Sequence, residues 1–333
     1  MRLEGKVVIV TGASAGIGRA TALELARRGA KVGLIARGRE RLESAQREIE
    51  QNGGTAAIAV ADVSDPQALE RATLELEARL GQIDAWVNNA MAAVLAEVAD
   101  TSPEEFKRVT EVTYLGSVNG TGIALRRFLP RNQGTIVQVG SALSRRGIPL
   151  QASYCGAKHA LEGFLESLRA EMRHRGARVH ISLVQLPGVN TPQFDWVRTR
   201  LRRHPQPVPP IFQPEVAARA IADAVERPRR EIWVGAPTVM TIIGNRIAPW
   251  FVDRYLARTN IKAQQTGEII PADRPDNLFG PPPGDPGAHG VFDDQAKPTS
   301  MQYELNRHRR AIAAAGTAAA AGAAAAVAIA RRD

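Results

Sequence analysis

Thr11-Gly12-Ala13-Ser14-Ala15-Gly16-Ile17-Gly18 decides the reading of this chain. It follows Lys6-Val7-Val8-Ile9-Val10, an apolar, β-branched run with the pattern of a buried parallel strand. It leads into residues 16 to 29, where Ile17, Ala20, Thr21, Leu23, Leu25 and Ala26 recur at helical spacing and Gly29 supplies a C-terminal stop. Glycines between a strand and a helix let the backbone turn tightly and come close to a phosphate. The helix start adds free N–H groups and a dipole that favours an anion. Gly12, Ser14, Gly16, Ile17 and Gly18 are therefore candidate contacts for a dinucleotide pyrophosphate.

Strands and helices alternate outward from this loop. Further strands are expected at 31–36, 55–61, 84–88, 135–139, 178–184 and 231–235, and helices at 39–51, 65–80, 103–128, 152–175 and 214–226. Ser102-Pro103-Glu104-Glu105 has the form of a capping box with proline at the first helical position. The alternation predicts an α/β fold: a Rossmann-type doubly wound parallel sheet of about seven strands, with right-handed crossovers and helices on both faces.

The second strand ends at Ala36, followed by Arg37. A carboxylate about twenty residues beyond the glycines would hold a ribose 2′-hydroxyl. An arginine fork without one suits a 2′-phosphate, so Arg37 predicts NADP(H) over NAD(H). Tyr154 and Lys158 lie four residues apart on one helical face, and Ser141 ends an apolar strand at its carboxyl end, where open parallel sheets hold ligands. A nearby ammonium and an oxidised nicotinamide are expected to lower a phenol pKa of about 10 toward neutrality. In the reductive direction Tyr154 would give a proton to a carbonyl oxygen as hydride reaches the carbon, while Ser141 hydrogen-bonds the developing alkoxide.

These motifs resemble those of the short-chain dehydrogenase/reductase family, over roughly residues 3 to 260. The resemblance implies that Asp62 and Val63 hold the adenine ring and that Lys158 binds cofactor ribose hydroxyls. It implies a structural and cofactor-binding role for Asn88-Asn89-Ala90, where Met91 replaces the usual glycine. It places Thr113 where the family has a catalytic asparagine; Asn119, six residues on, should face elsewhere. The family's proline–glycine pair falls either on Leu186-Pro187 or on Pro187-Gly188, and in both alignments Thr191 reaches the nicotinamide carboxamide. The segment from about 190 to 213, with Phe194, Trp196, Val197 and Leu201 among Arg198, Arg200, Arg202 and Arg203, corresponds to the substrate lid. It reads either as an apolar pocket with a basic rim, suited to a lipid-like or anionic carbonyl, or as a solvated basic helix. A homo-oligomer, dimer or tetramer, is also implied.

Composition fits a cytoplasmic enzyme. The 333 residues carry a formal net charge of +9, much of it arginine on helix surfaces, with no aromatic-basic motif for nucleic acid. One cysteine, Cys155, argues against a disulfide framework, and the six histidines show no metal-ligand spacing. The first strand starts too early for a signal segment.

Beyond the core, residues 238–257 mix apolar and basic groups in an amphipathic pattern. Residues 261–306, rich in proline, glycine and aspartate from 271 to 300, read as a linker. Residues 307–333 join a basic cluster to twenty uncharged, mostly alanine residues, Ala311 to Ala330. That length is enough to span a bilayer, so this segment reads either as an anchor on the inner face of the membrane or as a soluble tail. Two functions follow. The first is an NADP(H)-dependent oxidoreductase acting on a carbonyl or secondary alcohol. The second is a membrane-associated NADP(H)-binding sensor or scaffold with little turnover, supported by Thr113, Met91 and the tail.

Overall fold

The computed structural model describes residues 1–271, 273–309 and 317. Its centre is a seven-stranded parallel sheet built from β1 (Val7–Thr11), β2 (Lys31–Ala36), β3 (Thr55–Val60), β4 (Ile83–Asn88), β6 (Gly134–Val139), β7 (Val179–Gln185) and β10 (Glu231–Trp233). The order is β10-β7-β6-β4-β1-β2-β3. Every residue of β1 and β6 is buried, as expected for strands covered on both faces. The chain leaves β1 toward β2 on one side and returns through β4 on the other, so the order reverses between β1 and β4. Ligands of doubly wound sheets sit at the carboxyl ends beside such a reversal.

Helices α1 (Gly16–Arg27), α2 (Arg39–Gln51), α3 (Pro66–Leu80), α4 (Pro103–Thr110), α5 (Gly116–Phe128), α6 (Ala152–His174) and α8 (Pro214–Glu226) cover the sheet. The boundaries follow local chemistry. Asp65 caps α3 by accepting from the N–H groups of Gln67 and Ala68. Ser102 and Glu105 form the reciprocal capping box that their spacing predicts. The helix expected over 103–128 is instead α4 and α5 joined by a π turn, Glu111–Leu115. Thr113, inside this wider turn, is buried.

The remaining elements lie above the carboxyl edge. Strand β5 (Val94–Leu95) pairs with β8 (Arg198–Thr199), and β9 (Arg203–Pro205) with β11 (Gln265–Ile269). The lid also holds a short helix, α7 (Gln193–Trp196), and is followed after β10 by α9 (Ala236–Ile247) and α10 (Pro249–Ala263). The described residues of 261–306, expected as a linker, include several that pack on the core. Leu278, Phe292 and Tyr303 are buried, and the last belongs to α11 (Met301–Arg307). The Tyr303 hydroxyl donates to Asp223 of α8 at 2.7 Å. Isolated apolar residues spaced along the proline-rich stretch anchor it, although its composition is that of a spacer. The alanine-rich segment lies outside the described residues apart from Thr317. Among the described residues no helix is long and apolar enough to cross a membrane.

Candidate active site

One cavity of about 1160 Å³ runs along the carboxyl edge of the sheet. Its floor is the glycine loop. Gly12 has a positive φ, and a Cβ there would lie 2.8 Å from the Cα of Ala90. A Cβ on Gly18 would lie 2.0 Å from the carbonyl oxygen of Gly12, so the loop can close only without side chains. The loop is tied to the end of β4. The Asn89 side chain donates to the carbonyls of Thr11 and Gly12 at 3.0 and 3.2 Å, and the Thr11 hydroxyl accepts from the backbone of Asn89 and Ala90. Asn88 is turned away and buried, accepting from Trp86 and donating to Thr121.

At one end the cavity is lined by Arg37, Gly38, Arg41, Asp62 and Val63. Asp62 accepts from Arg108 and from Ser64. Burial alone would raise its pKa, but these hydrogen bonds win and hold the carboxyl below its ordinary value. Asn119 donates to the Val63 carbonyl at 2.9 Å, fixing this wall. The sequence reading gave it no such role, and a contact across 56 positions leaves no local signal.

At the other end stand Ser141, Tyr154 and Lys158, with Pro187 and Thr191 opposite. Ser141 follows β6 and Pro187 follows β7, while Tyr154 and Lys158 come from the first turns of α6. Lys158 is buried, with Nζ 2.6 Å from the Val139 carbonyl and 5.6 Å from the centre of the Tyr154 ring. Burial lowers its pKa to about 8. Burial raises the Tyr154 pKa in the protein itself, and the hydrogen bond with Ser141 opposes this only in part. The phenol is therefore held protonated through the neutral range.

Thr113 lies beneath the end of β5's approach segment rather than in the cavity lining. It is fully buried, and its hydroxyl is consumed by the backbone of Ala92, donating to the carbonyl and accepting from the N–H, each at 2.9 Å. Val112, its neighbour, lines the cavity and Thr113 does not. The basic rim is reduced as well: Arg198 and Arg200 both pair with the buried Glu105. Met91 packs with Tyr154 against Ala93, Leu95 and Val197, forming an apolar wall beside the phenol.

A family model described as short chain dehydrogenase matches residues 6–201. The chain belongs to the short-chain dehydrogenase family. It is an oxidoreductase of that family, whose members bind nicotinamide cofactors. It is 31% identical to "Uncharacterized oxidoreductase YxnA" of Bacillus subtilis, over 83% of this chain and 76% of that one. It is 32% identical to "Fatty acyl-CoA reductase" of Acinetobacter baylyi, over 68% of this chain and 76% of that protein. A crystal structure of a metagenomic short-chain oxidoreductase in complex with NADP superposes with a TM-score of 0.59 and 27% identity, covering 70% of this chain and 98% of the other. These dehydrogenase relatives lend no support to a sensor or scaffold with little turnover.

Proposed function

We propose that the protein is an NADP(H)-dependent carbonyl reductase or alcohol dehydrogenase for an apolar, lipid-like substrate, with Tyr154 as the proton donor and acceptor. The observation that carries this reading is a single cavity with Arg37 at one end and Ser141, Tyr154 and Lys158 at the other. The glycine loop and the first turn of α1 fit a pyrophosphate, and the half-buried Arg37, with no carboxylate bonded to it, fits a 2′-phosphate. When bound, the nicotinamide supplies or accepts the hydride. Tyr154 gives its proton to the substrate oxygen, Ser141 donates to that same oxygen as charge develops, and Lys158 holds ribose hydroxyls and restores the phenol's environment. Thr191 and Pro187 bound the side of the cavity where the carboxamide would lie.

Beyond the phenol the walls include Leu143, Ile148, Val208, Met240, Phe251 and Leu256, which suit an alkyl chain. The fatty acyl-CoA reductase relative supports the same substrate class. Substituting Arg37→Ser is expected to raise the NADPH KM roughly 10- to 100-fold, the usual range for losing charge-assisted bonds, and to leave the NADH KM nearly unchanged. Steady-state cofactor oxidation with long-chain aldehydes checks both values; an equal effect on the two cofactors would remove Arg37 as the phosphate reader.

Attachment to the inner face of a membrane belongs to this reading. Met240, Ile247, Trp250, Phe251 and Tyr255 are exposed on α9 and α10, the helices that also wall the cavity mouth. Arg246, Arg254, Arg258 and Lys262 accompany them, whereas the acid Asp253 pairs with Arg146. The full chain is expected to sediment with anionic vesicles and to be released by salt; a protein that stays in the supernatant at low salt would end the membrane part of the proposal.

A further inference from the structure

The NADP(H) reading leaves unexplained why residues 276–290 lie across the phosphate-binding side of the cavity. Polar contacts from the cofactor side hold them there. Arg37 donates to the carbonyls of Asn277 and Leu278 at 2.5 and 3.3 Å. Arg41 donates to those of Pro283 and Gly284 at 2.8 and 2.6 Å. Arg19 pairs with Asp285 at 2.5 Å. The N–H of Gly16, inside the glycine loop, donates to the Gly287 carbonyl at 3.1 Å. Gly290 then passes so close to Thr191 that a Cβ on it would lie 2.5 Å from the Thr191 carbonyl oxygen.

The strap roofs the cavity and leaves it open beneath. Asn277, Pro281 and Pro282 line the same space as Gly12, Ser14, Ile17 and Asp62. Leu278, fully buried among the side chains that include Ala61, Val63 and Val112, closes the adenine end from above. Two amide atoms beside it lack partners. Asn277 is buried with Oδ1 unbonded, and Gln193, which accepts from the Asn277 Nδ2, has Nε2 unbonded; both residues line the cavity. Buried polar atoms without partners are costly, so a pair of them, one acceptor and one donor, bordering a cavity, marks a place where a ligand completes the bonding. Arg37 gives the strap one bond from each terminal nitrogen, and a guanidinium has five donors, so it can hold strap and phosphate together.

We propose that residues 276–290 are a cofactor clamp: they close over the adenosine half of a bound NADP(H), Arg37 is shared between strap carbonyls and the 2′-phosphate, and Asn277 and Gln193 are further cofactor-binding residues. This rests on the NADP(H) reading above. The clamp makes dinucleotide release depend on opening the strap. The substrate end of the cavity, under α9 and α10, stays free to exchange.

An engineered tether tests it. A Cβ placed on Gly38 lies 3.4 Å from the Cβ of Pro281, close to the separation a disulfide needs. The Gly38→Cys, Pro281→Cys double variant of the full chain, loaded with NADPH while reduced and then oxidised, is expected to release NADPH at least tenfold more slowly in a stopped-flow chase, with the original rate restored by dithiothreitol. Oxidation without NADPH should slow association by a similar factor. A second variant works in the opposite sense: Leu278→Ala should speed release about tenfold. Release unchanged by oxidation overturns the clamp, and so does NADPH expelled on oxidation, which would make the strap a plug. A reduced double variant and a parent chain that both bind NADH but not NADPH would instead refute the cofactor reading.

Discussion

Tyr154→Phe is expected to lower turnover about 10³-fold, within the range for removing a positioned general acid, while NADPH binding stays close to that of the parent. Burial keeps the phenol neutral through and beyond pH 8, so in the reductive direction the donor is already loaded. Reduction should therefore show little pH dependence below neutrality. Oxidation needs the phenolate and should climb as the pH rises, because burial opposes that form. Phenylalanine keeps the ring that packs with Met91 beside Leu95 and Val197, so the cavity wall survives and only the proton is lost. Steady-state NADPH oxidation and a fluorescence titration of cofactor binding separate the two effects. Turnover equal to the parent's would show that another group delivers the proton.

What the sequence revealed, and what it hid, follows from the range of the interactions. The glycine loop, the seven strands and the Tyr154–Lys158 pair are written in periodicities and spacings of a few residues, and each is found within one or two positions of its expected place. The π turn at Glu111–Leu115 has no local signal in the sequence, and the bond of Thr113 to the Ala92 backbone spans 21 positions. The lid arginines read either as a rim or as a solvated face because their partner, Glu105, is 93 and 95 positions distant. The strap was hidden most completely. Arg37 meets it across about 240 residues, and through backbone carbonyls that any sequence would supply. Composition there reports only that no regular helix or strand forms. Leu278, Phe292 and Tyr303, spread thinly along a polar stretch, were the available hint that it docks rather than swings free.

Lys158→Met separates activity from stability. The ammonium is buried against the Val139 carbonyl with its pKa lowered from 10.5 to about 8, so folding disfavours its charged form. The sign follows from proton counting. Below about pH 8 both folded and unfolded chains carry the proton and the penalty is present in full. Between about 8 and 10.5 the unfolded chain binds more protons than the folded one, so stability rises with pH in that window. A methionine of similar length escapes the penalty. It leaves the Val139 carbonyl without its bond, which returns about 1 kcal/mol of cost. The variant is therefore expected to be more stable than the parent at pH 7 by on the order of 1–2 kcal/mol, and the gap should close as the pH approaches 10. Turnover should fall at least about 10²-fold, because neither the ribose nor the phenol then has its cation. Denaturant midpoints at pH 7 and pH 10, measured beside NADPH oxidation, check both halves. A variant that is less stable at pH 7 than at pH 10 relative to the parent would contradict the burial argument. One that is stabilised and yet fully active would leave Lys158 without a part in the chemistry. The expected combination, a stabler protein that does not turn over, identifies a buried cation that the fold tolerates because the reaction uses it.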